Sequence, residues 1–282
     1  MEKVLYPQNL KPTIAFYENI VYTSHIADFF RDNINLKLNL LLPVAPDNTF
    51  VKSPVLVWLE GGAWRNSTPY YRTGELADFV KRGYAVASVD YSVDANNIWP
   101  ACIKDVKTAI RYLRAHKDQF NLDTDNIVVA GESAGAHLAA LVGLTPDKEE
   151  FKTEEYKEFS DKVNGAILWY CPGDMSAPVN DYFNYVDLLI RGDSSKNPNL
   201  VAELNPMTYA DKKACPFLFF HGNKDMLVPI ENSKLLYEKL IKAGTDADYY
   251  TVDGVGHADI AFTQDNIHEL MDEFMKKVNK KL

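Results

Sequence analysis

Ile127-Val128-Val129-Ala130-Gly131-Glu132-Ser133-Ala134-Gly135-Ala136-His137-Leu138 is the stretch that decides the fold. Its first four residues are a short apolar run rich in β-branched side chains, the pattern of a buried strand. From Ala134 to Val142 the residues are small or aliphatic, which reads as a helix packed on that strand. Between the two lies Gly131-Glu132-Ser133-Ala134-Gly135, a G-x-S-x-G turn from strand to helix. Such a turn holds its serine in strained backbone at the tip, so the residues two positions away must be small. The helix that follows aims its free N–H groups at negative charge developing on a carbonyl that the serine attacks. A chance Gly-Ser-Gly loop would lack the strand before it and the helix after it.

Outward from this turn, the same alternation continues. Val55–Leu59, Tyr84–Val89, Ala166–Tyr170 and Phe217–Phe220 are further apolar runs, and Tyr249–Val252 reads as a strand. Pro100 opens a helix with Ile103, Val106, Ile110 and Leu113 on one side. Glu231–Ala243 and Ile267–Val278 are two more helices. Strands alternating with helices predict an α/β fold, a mostly parallel central sheet with helices on both faces. The N-terminal part differs. Ile20-Val21-Tyr22 and Asn35–Leu42 read as strands forming an antiparallel edge. In the second, Leu36, Leu38, Leu40 and Leu42 recur with period two, which predicts a half-buried strand. Two segments break the alternation. Residues 146–164 are charged and helix-prone, and residues 174–207 are rich in Asn, Asp, Pro and aromatics. Both are expected to be excursions above the sheet, at most a small cap, on a single domain spanning 1–282.

Composition bounds the function. The chain has 282 residues, 46% of them hydrophobic, with a formal net charge of −9, so its overall field repels nucleic acid and anionic lipid. No basic run occurs except the last residues, Lys276, Lys277, Lys280 and Lys281, which suit the end of a final helix. The N-terminus lacks the apolar core of a signal peptide, and no stretch is long enough to span a membrane. Cys102, Cys171 and Cys215 are sparse and lack CxxC spacing, which argues for reduced thiols and neither a disulfide framework nor a zinc site. A cytoplasmic location is expected.

A serine hydroxyl needs a base to take its proton. Val255-Gly256-His257 follows the last strand and supplies one. An acid should orient that base from the end of an earlier strand. His221-Gly222-Asn223-Lys224-Asp225 follows Phe217–Phe220 and fits; Asp174, after Ala166–Tyr170, competes. The tight loop from His221 to Pro229 favours Asp225. Asp253 and Asp259 lie too close to His257 in sequence. His137 is expected to pack one turn from Ser133, His221 to brace the acid loop, and His25, His116 and His268 to be surface or structural. An oxyanion hole needs two backbone donors. Ala134 N–H is one; the other falls on Gly61 or Gly62 in Glu60-Gly61-Gly62-Ala63-Trp64, after Val55–Leu59. Trp64, Trp99, Trp169 and Tyr170 are candidate walls of a substrate pocket, with the core as the equal alternative for each.

Together Glu60-Gly61-Gly62-Ala63-Trp64, Gly131-Glu132-Ser133-Ala134-Gly135-Ala136-His137-Leu138, His221-Gly222-Asn223-Lys224-Asp225 with Val228-Pro229, and Gly256-His257 resemble the hormone-sensitive-lipase-like esterases of the α/β-hydrolase superfamily. The likeness covers roughly residues 54–260 and looks closest to small bacterial members that deacylate carbohydrates and other short esters. It implies a serine carboxylic ester hydrolase that forms an acyl-enzyme, acts on a small ester such as an acetylated or feruloylated sugar, and needs no cofactor or metal. An amidase or peptidase would use the same triad; a non-catalytic binding protein of this fold usually lacks one of its members. The chain departs from the family's His-Gly-Gly-Gly loop at Glu60 and Ala63. A carboxylate there must be paired, hydrogen-bonded or protonated. It is expected to pin the loop through backbone amides or a side chain such as Arg65 or Tyr91, or else to point into solvent or toward an alcohol substituent.

Overall fold

The computed structural model describes residues 3–6, 12–26, 33–93, 99–176 and 185–279. Eight strands form one sheet: β1 (Thr13–Ile26), β2 (Asn33–Val44), β3 (Ser53–Leu59), β4 (Ala85–Val89), β5 (Leu122–Glu132), β6 (Gly165–Trp169), β7 (Phe217–Gly222) and β8 (Ala247–Val252). Their order is β1-β2-β4-β3-β5-β6-β7-β8. The β1–β2 and β2–β4 pairs are antiparallel and every other pair is parallel. This is the α/β-hydrolase fold with its antiparallel N-terminal edge.

Helices cover both faces. On one lie α2 (Ala101–Ala115), α3 (Ala134–Leu144) and α6 (Ile230–Lys242), packed through residues such as Ile103, Leu138 and Leu236 against Val57 and Val129. On the other lie α1 (Thr73–Lys81) and α7 (Asp265–Val278), whose Phe79 and Met271 meet Trp58, Ala130 and Ile167. Successive strand residues face opposite sides, so the continuous apolar runs feed both cores at once. Helix α1 has no counterpart in the sequence reading. Its apolar residues Leu76, Phe79 and Val80 are few, and Gly74 and Thr73 weaken its first turn as a propensity signal.

Two further expectations are corrected. Strand β2 is not half-buried: from Leu38 to Val44 every residue is buried, including Asn39 and Leu41. It has β4 on one side and β1 on the other, and Leu41 joins the α1 core. Asn39 is tolerated there because its amide is fully used, accepting from Asn19 N–H at 2.9 Å and donating to the Pro69 carbonyl at 3.1 Å. Residues 146–164 are not a helix; they hold only a 3₁₀ turn at Glu149–Phe151. Their charged residues supply no apolar stripe. The segment is instead tied down by Asp161, which pairs in the interior with Lys107 of α2 at 2.9 Å and lies 3.5 Å from Arg111. In the second excursion lie α4 (Tyr185–Ile190), α5 (Pro198–Leu204) and two 3₁₀ turns, Ser194–Lys196 and Pro206–Tyr209. Residues 177–184 of that excursion lie outside the described residues.

Candidate active site

The loops that leave the carboxyl ends of β3, β5, β7 and β8 meet above the sheet, where ligands bind in open α/β folds. At the end of β5, Ser133 has φ 52° and ψ −118°, a conformation that costs a non-glycine residue on the order of 1–3 kcal/mol. The surroundings hold it there. Ser133 N–H donates to the Trp169 carbonyl at 3.0 Å, and its own carbonyl accepts from His137 N–H at 3.0 Å. The flanking glycines are steric necessities: a Cβ on Gly131 would stand 2.5 Å from the Gly135 carbonyl carbon, and one on Gly135 would stand 2.1 Å from the Leu59 carbonyl oxygen.

His257 follows β8 and Asp225 follows β7. His257 Nε2 lies 3.1 Å from Ser133 Oγ, and His257 Nδ1 lies 2.7 Å from Asp225 Oδ2. A carboxylate only accepts, so Nδ1 carries the proton and Nε2 is left to accept from the serine hydroxyl. Asp225 is buried and heavily solvated by the protein. Its Oδ1 accepts from Leu227 N–H at 2.9 Å and Val228 N–H at 2.8 Å, and its Oδ2 also lies 3.2 Å from His221 Nε2. Burial alone would raise its pKa, but the bonds from His221, His257 and Val228 hold it well below the usual carboxylate range. His221 braces this loop, with Nε2 also donating to the Val228 carbonyl at 2.9 Å and Nδ1 accepting from Ser233 Oγ at 2.6 Å.

The competing acid is occupied elsewhere. Asp174 Oδ1 accepts from Ser176 N–H, Ser176 Oγ and Asn205 Nδ2, and among the described residues nothing joins it to His257. Asp253 accepts from Asn223 Nδ2, and Asp259 caps the Ile260–Thr263 turn. His137 is fully buried one helical turn from Ser133, donating from Nε2 to the Leu204 carbonyl at 2.7 Å and lying edge-on to Trp64.

Ser133 and His257 open onto a cavity of ≈ 420 Å³ that also takes in Glu60, Gly61, Gly62 and Trp64. Among the described residues, neither Gly61 nor Gly62 gives its N–H to an internal acceptor. Ala134, the first residue of α3, has no intrahelical acceptor for its N–H. Gly62 (φ 135°), Ala63 (φ 52°) and Trp64 (φ 57°) curl the loop, with Arg65 and Asn66 N–H both closing on the Gly62 carbonyl. Glu60 does stitch this loop through a backbone amide, and among the described residues its carboxylate takes no bond from Arg65 or Tyr91. Its Oε2 accepts from Thr68 N–H at 2.8 Å, while the Tyr91 hydroxyl donates to its backbone carbonyl at 2.7 Å.

Of the four proposed wall residues, Trp64 and Tyr170 line the cavity. Trp99 and Trp169 do not. Trp169 points to the α7 side of the sheet, against Trp58 and Phe262. Trp99 packs on Phe151 and donates from Nε1 to Glu203 at 2.8 Å. Both are core residues, fixed by the side of the backbone from which they leave. A network beneath the site went unread in the sequence. The Glu132 carboxylate accepts from Arg72 Nη2 at 2.8 Å and from the Tyr170 hydroxyl, and the Tyr170 ring lies 4.6 Å from the His257 ring. Burial and the Glu132 charge push the Tyr170 phenol well above its ordinary range, so it remains a donor. The only sequence signal was Glu132 itself, a carboxylate in a turn too tight to leave it unpaired.

The BD-FAE family profile matches residues 41–240 of this chain. The chain belongs to the BD-FAE family. It thus stands among the hormone-sensitive-lipase-like esterases of the α/β-hydrolase superfamily. Esterase LipC of Mycobacterium tuberculosis is 34% identical over 214 residues, 73% of this chain and 53% of LipC. The chain spans about half the length of the curated relatives it matches. A truncated carbohydrate esterase from gut microbiota superposes with a TM-score of 0.81 at 26% identity, covering 93% of this chain and 95% of that one. Thermogutta terrifontis esterase 2 phosphoramylated by tabun gives 0.72 at 26% identity, covering 97% of each chain. Among the described residues of this BD-FAE member, no helix is long and apolar enough to cross a membrane.

Proposed function

We propose that this protein is a serine carboxylic ester hydrolase that cleaves short acyl esters, including acetyl or feruloyl groups on carbohydrates, through an acyl-enzyme on Ser133. The observation that carries the reading is the relay Ser133 Oγ–His257 Nε2–Asp225, with steps of 3.1 Å and 2.7 Å, opening onto the cavity. In this mechanism His257 takes the Ser133 proton as Oγ attacks the ester carbonyl. Asp225 holds the imidazole in the right tautomer and stabilises its cation. The N–H groups of Ala134 and of Gly61 or Gly62 receive the oxyanion. His257 then protonates the leaving alcohol, and water enters by the reverse route to release the acid. The organophosphate-modified T. terrifontis esterase supports a serine nucleophile by likeness, and the gut carbohydrate esterase supports a sugar ester substrate in the same way.

The catalytic unit of this reading is one domain, with 146–164 and 174–207 as its excursions. Three sparse cysteines without CxxC spacing fit a reducing compartment such as the cytoplasm. The test is Ser133→Ala, which should fold with a nearly unchanged melting temperature, because alanine keeps the Cβ and the same backbone hydrogen bonds hold the turn at φ 52°. It should lose about 10⁴-fold or more in kcat. A fluorophosphonate should label the wild type once, at Ser133. Labelling elsewhere, or an active alanine variant, would overturn the assignment.

A further inference from the structure

Two carboxyl groups reach the cavity, Glu132 and Glu60, and they differ in what they have left to offer. The Glu132 carboxylate is taken up by Arg72 and Tyr170. Glu60 is engaged on one oxygen only. Its Oε2 accepts from Thr68 N–H at 2.8 Å, while Oε1 has no partner among the described residues and is not sealed from solvent. Around it the cavity offers the Asn66 amide and the rings of Trp64 and Tyr71.

Resting on the reading of this site as an esterase, we propose that Glu60 is a specificity-determining residue: its Oε1 binds a hydroxyl on the alcohol part of the substrate. Esters of polyols such as sugars are then preferred over esters of alcohols with no further hydroxyl. An acetyl group carries no hydroxyl, so for the acetyl esters of this reading the partner belongs to the alcohol. Aromatic rings beside amide and carboxyl groups match the C–H faces and hydroxyls of a sugar.

The ionisation of Glu60 favours a hydroxyl over a cation. Burial pushes its carboxyl up to about 7; the Thr68 N–H and Arg72 act downward, Glu132 and Asp90 upward. Near neutrality both protonation states are populated. The ionised form accepts from a hydroxyl and the neutral form can also donate to one. A hydroxyl therefore suits either state, and an ammonium group suits one.

The test compares kcat/KM for a monoacetylated methyl β-xyloside, 4-nitrophenyl acetate and acetylcholine in wild type, Glu60→Gln and Glu60→Met. Both activities on the first two esters should fall in Glu60→Met, because Thr68 N–H loses its acceptor. The ratio of xyloside ester to nitrophenyl ester should fall by about tenfold more, the worth of one hydrogen bond. Glu60→Gln keeps an oxygen for Thr68 N–H and should lie between wild type and Glu60→Met, its loss on the xyloside appearing in KM. It serves as the readout if the methionine variant does not fold. An unchanged ratio in the variants would make Glu60 a loop latch only and overturn the proposal. So would a loss in Glu60→Gln confined to acetylcholine. Hydrolysis of either acetate that survives in Ser133→Ala would overturn the esterase reading beneath it.

Discussion

Replacing Arg72 by Met tests whether the network under Ser133 supports the site. Arg72 sits just before α1 and is 8% exposed; Glu132, beside Ser133, is 3% exposed. The bond between them, 2.8 Å from Nη2 to Oε2, is a buried ion pair joining two elements far apart in sequence. Methionine roughly matches the arginine stem in volume, so packing loss is small and the electrostatic loss dominates. Glu132 would be left buried with Tyr170 as its remaining donor. Removing one partner of a buried pair costs about 3–5 kcal/mol, because the other charge stays desolvated. At roughly 2–4 °C per kcal/mol for a domain somewhat smaller than this one, the melting temperature should fall by about 6–20 °C. The assay is calorimetry or circular dichroism at pH 7.5, on wild type, Arg72→Met, Glu132→Gln and the double variant. Neutralising Glu132 removes the stranded charge, so the double variant should melt above Arg72→Met. Well below the melting range, Arg72→Met should also lower kcat, because Glu132 anchors the Tyr170 hydroxyl and the Tyr170 ring lies against His257. A melting temperature within 2 °C of wild type, or a double variant less stable than Arg72→Met, would refute the reasoning.

Asp225→Asn should lower kcat by roughly 10³–10⁴-fold, through loss of the imidazole tautomer, and Asp174→Asn by far less; steady-state kinetics giving the reverse ranking would move the acid to Asp174. His137 carries a pH prediction. Burial pushes its pKa down to about 4, with the Leu204 carbonyl acting weakly upward. The unfolded chain takes up a proton below its ordinary pKa near 6.5 that the folded one refuses until about 4, so this stability is present above the higher value and is lost as pH falls toward the lower. Between pH 7 and 5 the wild type should therefore lose about 1–2 kcal/mol more than His137→Leu in urea titrations; equal losses would show that His137 is not the group responsible. If the acyl pocket is short, 4-nitrophenyl acetate should have a higher kcat/KM than the octanoate; a steady rise with chain length, at ~1–3 kcal/mol per accommodated methylene, would indicate a deep acyl tunnel.

Legibility of the site followed from how local each constraint is. Gly131 and Gly135 were readable because the turn leaves no room for a Cβ, and that exclusion is a property of five consecutive residues. Gly62 was readable for a similar reason, since a Cβ there would stand 2.3 Å from the Asn66 carbonyl oxygen of its own loop. Asp225 was favoured over Asp174 from the compactness of its loop, and the structure supplies the reason in Leu227 and Val228 N–H closing on Oδ1. Arg72 could not be read at all: nothing near residue 72 announces a partner sixty residues on. Trp99 and Trp169 were misassigned because an aromatic residue looks the same in sequence whether its ring enters a cavity or the core.

The sequence by itself determined the class of fold and the succession of its strands along the chain, because periodicity and continuous apolar runs are written residue by residue. It also marked out Ser133 and the glycines around it, through short-range sterics. Only the tertiary structure decided which acid meets His257, which rings face the cavity, and how the two carboxyl groups there are engaged. Those outcomes depend on strand order and on the side of the sheet from which each side chain leaves. They also depend on desolvation shared by groups as distant in the chain as Glu60, Arg72, Glu132 and Tyr170. Such many-body terms exist only once the chain has closed on itself.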